Sequence, residues 1–260
     1  MSAIIVDNGL VHYEALGRGK PVVFLHGWLG SWRYWMPTME AVSDRYRTYA
    51  FDLWGFGDSD KSPRRYEMDA YVSLIGLFLD ELGVMQVPII GHGLGAVAAV
   101  LFALRNSDRV TKLMTIGMPL NGAAVNRKLT AGGDGVLDRL IGRRQAQQAY
   151  PEVALESDKA DPSVIALSSR SMSALDMRVE LDRVNHPLLL VHGDKDQIVT
   201  PPTTDVIQDL ESNIRHIGFR DSTHFPMYDE AAKFQRLVRD FLEGDLASLE
   251  LKEEWKRRSR

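Results

Sequence analysis

The chain has 260 residues, 45% hydrophobic and 25% charged, the composition of one large globular α/β domain. Its 31 basic and 35 acidic side chains leave a net charge of −4, and the basic character needed for nucleic acid is absent. It has no cysteine, which excludes disulfides, thiolate nucleophiles and Cys-ligated metals and is compatible with a reducing compartment.

The opening Met1-Ser2-Ala3-Ile4-Ile5-Val6-Asp7 has no basic stretch followed by a long apolar one, so it does not read as a secretory signal. No apolar run approaches the roughly 18 residues of a membrane span. A cytoplasmic protein is the expectation. Residues 3–15 read as two short strands around Asn8-Gly9. Short continuous apolar runs follow at Val22–Leu25, Tyr49–Phe51, Val87–Ile90, Leu113–Ile116, Leu188–Val191 and Ile214–Phe219. Strands buried on both faces of a parallel sheet have this character. Between them, residues 68–82 carry apolar side chains close to i, i+3, i+4, i+7 spacing, and 94–105 are rich in Ala and Leu. Residues 203–212 and 227–243 complete the predicted helices. The alternation predicts the α/β class: a mostly parallel central sheet flanked by helices.

Residues 120–185 contain no convincing strand and read as a helical insertion, a cap over the strands' C-terminal ends. Within it Asp161-Pro162 predicts a helix through about Ser173. Leu137, Leu140, Ile141, Leu167, Met172 and Leu175 are candidates to line a pocket beneath it, or else to pack the cap on itself. The segment 1–243 is expected to form one domain, with 244–260 a charged extension in which Glu253 and Arg257 can pair on a helix.

Five motifs occur in order, each at the end of a predicted strand: His26-Gly27-Trp28; Asp52-Leu53-Trp54-Gly55-Phe56-Gly57-Asp58-Ser59; Gly91-His92-Gly93-Leu94-Gly95; Gly193-Asp194-Lys195-Asp196-Gln197-Ile198-Val199; and Thr223-His224-Phe225. Ligands of open parallel sheets bind at that edge. Together the motifs resemble the α/β-hydrolase superfamily, in its esterase, lipase and C–C hydrolase-like branch, from about Asp7 to Leu242. The resemblance implies an acid–base pair of Asp196 and His224, with Asp196 chosen over Asp194 by family spacing. It also implies an oxyanion hole from the backbone N–H groups of Trp28 and Leu94. His26 and His92 would serve loop packing. His12, His186, His192 and His216 show no partner pattern. No histidine pair has zinc-site spacing, so no metal is expected, and no cofactor is implied.

A hydrolase elbow reads G-x-S-x-G; this one has Gly93 at the nucleophile position. Glycine suits the strained turn but removes the attacking oxygen. Three readings follow. One is an impaired or altered hydrolase of carboxylic-ester lineage, in which His224 activates water against a small apolar carbonyl compound. Another is a non-catalytic module binding such a ligand. The third is an engineered serine-to-glycine variant of an active esterase.

Overall fold

A computed structural model describes residues 2–133 and 135–249. The first strands, β1 (Ser2–Val6) and β2 (Gly9–Leu16), form an antiparallel hairpin. Its turn is Asp7-Asn8, at φ 48° and 57°, one residue earlier than the Asn8-Gly9 expectation. Asp and Asn are the non-glycine residues that best tolerate this region, and a two-residue turn of this kind matches strand twist. Gly9 already pairs with Val6.

The other strands are β3 (Lys20–Leu25), β4 (Tyr46–Phe51), β5 (Val87–His92), β6 (Val110–Ile116), β7 (Leu188–Gly193) and β8 (Ile214–Phe219). Among the described residues they make one eight-stranded sheet in the order β1-β2-β4-β3-β5-β6-β7-β8. From β4 through β8 every neighbouring pair is parallel. The apolar runs predicted all of these strands, which continue one to three residues beyond several of the runs.

Helices α1 (Met36–Val42), α2 (Met68–Glu81) and α3 (Leu94–Arg105) follow β3, β4 and β5. Every residue of α3 from Leu94 to Ala103 is buried, which explains its run of small side chains: it lies close on β5 and β6 and is covered by α2. Between β6 and β7 stand α4 (Arg127–Thr130), α5 (Val136–Ile141), α6 (Arg143–Ala149), α7 (Pro151–Ser157), α8 (Val164–Ser173) and α9 (Met177–Leu181). The Asp161-Pro162 helix starts at Val164, later than predicted, because the Asp161 carboxylate accepts from Ser163 N–H at 2.8 Å and its carbonyl from Val164 N–H.

The closing helices are α10 (Thr204–Gln208), α11 (Pro226–Asp229) and α12 (Ala231–Glu243). The helix expected over 227–243 is interrupted at Glu230, whose side chain accepts from Ser222 Oγ at 2.9 Å. α12 buries Phe234, Leu237, Val238 and Phe241 and packs against α1. No helix among the described residues is long and apolar enough to cross a membrane. The Glu253–Arg257 pair lies outside the described residues.

Candidate active site

The chain leaves β3 toward β4 on one side and returns to β5 on the other, so β3 and β5 are neighbours at a topological switch point. Leu25 is paired with Gly91, and the loops leaving both strands therefore meet. The His26-Gly27-Trp28 turn lies against the elbow. A Cβ built on Gly93 would come 3.5 Å from Gly27 Cα, 3.7 Å from Trp28 Cε3 and 3.8 Å from His224 Nε2, all ordinary contacts.

The three elbow glycines differ in kind. A Cβ on Gly91 would fall 2.7 Å from the Ala96 Cα, and one on Gly95 would fall 2.6 Å from the His26 carbonyl oxygen, so close backbone approach demands both. Nothing crowds Gly93, but its φ of 51° and ψ of −114° are unfavourable for any side chain.

His224 and Asp196 come together as the motif order implies. His224 Nδ1 lies 2.7 Å from Asp196 Oδ2, with both side chains buried. The other carboxylate oxygen, Oδ1, accepts from the N–H groups of Ile198 and Val199 at 2.8 and 2.9 Å. These bonds point the carboxylate at Nδ1, so that nitrogen carries a proton, and Nε2 faces Gly93. Asp194 makes no contact with His224; its Oδ1 lies 3.2 Å from His192 Nε2.

The Gly27 carbonyl accepts from His26 Nδ1 at 2.8 Å and from Gly30 N–H at 3.2 Å. Because a trans peptide holds its C=O and N–H on opposite sides, these bonds also set the direction of the Trp28 N–H. Burial lowers the His26 pKa and keeps the ring neutral, with Nε2 accepting from Leu53 N–H at 2.9 Å. Leu94 opens α3, where the first N–H has no intrahelical acceptor. The Trp28 indole serves separately as a strut, donating to Ser168 Oγ of α8 at 2.9 Å.

A cavity of about 150 Å³ opens at His224, lined by Leu140, Ile141, Tyr150 and Gln197 together with Ile198, Thr223 and Phe225. Of the six pocket candidates, the structure brings Leu140 and Ile141 here. Leu137 instead borders a separate cavity of about 290 Å³ between α5, α6 and α7. Met172 is fully buried, and Leu167 and Leu175 pack against the core. The reason is rotational: a helix in the insertion turns alternate apolar residues toward the protein body, and composition alone does not say which.

Sequence reasoning missed Tyr150 and Tyr34. The Tyr150 hydroxyl, between α6 and α7, bonds Asp229 Oδ1 at 2.7 Å and Thr223 Oγ1 at 2.8 Å, tying the insertion to the loop of His224. Burial raises its pKa, so it remains a phenol. The signal for Tyr150 was its position before Pro151; for Tyr34, the aromatic run Trp32-Arg33-Tyr34-Trp35 just after the Gly27 turn. The four histidines for which the sequence offers no partner pattern all have one: His12 lies 3.2 Å from the buried Asp52, His216 Nε2 lies 2.7 Å from His192 Nδ1, and His186 Nε2 lies 2.8 Å from the Ser107 carbonyl oxygen.

Ligand-type atoms of His12, Asp52 and Asp58 lie within 4.8 Å of one another. Both Asp52 oxygens are already engaged, by Trp32 N–H at 2.9 Å and Asp58 N–H at 3.0 Å. Arg33 and Lys159 each stand 3.9 Å from Asp58. The donor set therefore fits a clasp for the Asp52–Ser59 loop and not a cation site.

Comparison with known proteins bears on the family and the fold. The chain is 24% identical over 253 residues to a pimeloyl-[acyl-carrier protein] methyl ester esterase of Vibrio cholerae, covering 89% of this chain and 97% of that protein. It is 34% identical over 114 residues to a soluble epoxide hydrolase of a Corynebacterium species, covering 44% of this chain and 40% of that one. An esterase structure from Exiguobacterium antarcticum superposes with a TM-score of 0.78 at 22% identity, covering 92% of this chain and 98% of its own. The α/β hydrolase fold family matches residues 20–163, more than half of the sequence, and with the sheet order and the elbow described above this makes the chain a member of that family.

Proposed function

We propose that Gly93 stands where a hydrolase carries its nucleophile, and that the protein hydrolyses a small apolar carbonyl compound, an ester first of all, through water activated by His224. The observation that carries this reading is the 3.8 Å separation between the built Gly93 Cβ and His224 Nε2. A water beside Gly93 comes within hydrogen-bond reach of that nitrogen.

In this mechanism the substrate carbonyl oxygen accepts from the Trp28 and Leu94 N–H groups. His224 Nε2 takes a proton as the water oxygen attacks the carbonyl carbon, and Asp196 stabilises the imidazolium. The tetrahedral species then collapses, His224 returns the proton to the departing alkoxide, and acid and alcohol leave. No acyl-enzyme forms. The helices of residues 120–185 act as the cap, with Leu140 and Ile141 selecting the apolar part. General-base assistance of this kind is worth about 10²–10⁴ in rate, so turnover is slow.

The test is hydrolysis of short p-nitrophenyl esters by the purified protein and by His224→Ala. The reading expects kcat/KM to fall at least about 10²-fold in the variant. Equal rates would sink it, and a ligand bound without turnover would leave a binding module.

A further inference from the structure

Two buried side chains at the centre of the site take no part in this chemistry. His92 precedes the elbow glycine, and Tyr34 lies on the 3-10 turn Trp32–Trp35 that follows the Gly27 loop. The Gly27 N–H donates to the Tyr34 hydroxyl oxygen at 2.6 Å. That oxygen lies 2.9 Å from His92 Nδ1, and His92 Nε2 lies 3.0 Å from the backbone carbonyl oxygen of His224.

Only one proton arrangement satisfies all three contacts. A carbonyl oxygen accepts and never donates, so His92 Nε2 carries a proton. Burial, with His224 beside it, holds the His92 pKa well below 6.5, so the ring is neutral and Nδ1 is bare. Nδ1 must then accept from the Tyr34 hydroxyl, which burial keeps protonated. The opposite tautomer would set two lone pairs against each other at the 3.0 Å contact. The His92 ring also lies 4.4 Å from the His224 ring, centroid to centroid.

We propose that Tyr34 and His92 are positioning residues. Their one-directional chain of hydrogen bonds, from the Gly27 N–H to the His224 carbonyl, holds the oxyanion turn and the base in register across the elbow. One contact links the turn that carries Trp28, the other the backbone of the base itself. Drift of either element separates the groups that must act on one carbonyl. What the chain positions rests on the hydrolytic reading above, whereas its direction does not.

The experiment is two-bond ¹H–¹⁵N spectroscopy of histidine-labelled protein, without substrate, alongside Tyr34→Phe, which keeps the ring and removes only the hydroxyl. In the wild-type protein His92 is expected as the neutral Nε2–H tautomer; an Nδ1–H or charged ring would overturn the proposal. In Tyr34→Phe the Gly27 amide and the His224 ring signals are expected to shift, and ester kcat to fall about tenfold at unchanged KM. Unchanged His224 signals or unchanged kcat would also overturn it. If Tyr34→Phe does not fold, His92→Gln replaces it, because its amide can still donate to the His224 carbonyl. That variant is expected to shift the Gly27 amide and to leave the His224 ring in its wild-type tautomer; a changed His224 tautomer with an unmoved Gly27 amide contradicts the chain. Absence of wild-type turnover refutes the hydrolytic reading, and the tautomer measurement then decides the chain alone.

Discussion

At the scale of single residues, the elbow separates steric need from chemical need. Gly91 and Gly95 let β5, α3 and the His26 loop touch, and an added methyl at Gly95 meets backbone at 2.6 Å. Gly95→Ala is therefore expected to lower stability by about 1–3 kcal/mol, as overpacking does, measured by urea unfolding. A loss below about 0.5 kcal/mol would mean that the strand and helix yield easily. Gly93 is different: a side chain there finds space and pays only for its backbone angles, roughly 1–3 kcal/mol. The motif order brought Asp196 and His224 together in the sequence because each follows a strand of one parallel sheet. The Tyr34–His92 contact was not legible, since the two residues lie 58 positions apart and meet only through the β3–β5 pairing.

At the scale of elements, the buried strands were readable because runs such as Leu188–Val191 have no polar face. The hairpin turn slid by one residue because Asp7 and Asn8 both accept the left-handed region, leaving Gly9 to pair. The insertion was readable as helical but not in orientation, so Leu140 and Ile141 reach the cavity while Leu137 and Met172 do not. Its attachment was invisible in sequence because it depends on distant polar groups: Tyr150 to Asp229 and Trp28 to Ser168. Tyr150→Phe removes a hydrogen bond to a carboxylate, which contributes about 1 kcal/mol where that carboxylate is partly solvated. Faster amide exchange is expected over α5–α7 and the Thr223 loop, with β3 and β5 unaffected. Exchange unchanged in α5–α7 would show that apolar contacts alone seat the insertion.

At the scale of the whole molecule, the histidines set the response to acid. Burial lowers the pKa of His26, His92, His192 and His216, the last to about 4. A group with a depressed folded pKa binds more protons when unfolded, so its contribution is complete above pH 6.5 and is lost as pH falls toward the folded value. His12 opposes this: its hydrogen bond to Asp52 raises its pKa, and its contribution is full below 6.5 and lost as pH rises through the raised value. Below pH 6.5 the His12 contribution is already full and no longer changes, so the four lowered histidines set the slope there. Thermal stability is expected to decline steadily between pH 6.5 and about 4, the window of His216. A flat profile across that window would contradict the burial of neutral imidazoles.

The central claim is that an intact hydrolase site surrounds Gly93. The direct measurement is covalent labelling of Gly93→Ser by a fluorophosphonate probe, with and without His224→Ala in the same chain. A serine Cβ here starts 3.8 Å from His224 Nε2, so its hydroxyl is within reach of the base. The account predicts labelling of Gly93→Ser, none of the unaltered chain at that position, and a large loss of labelling when His224 is also removed. A folded Gly93→Ser protein that stays unlabelled, or that labels equally well without His224, would contradict it.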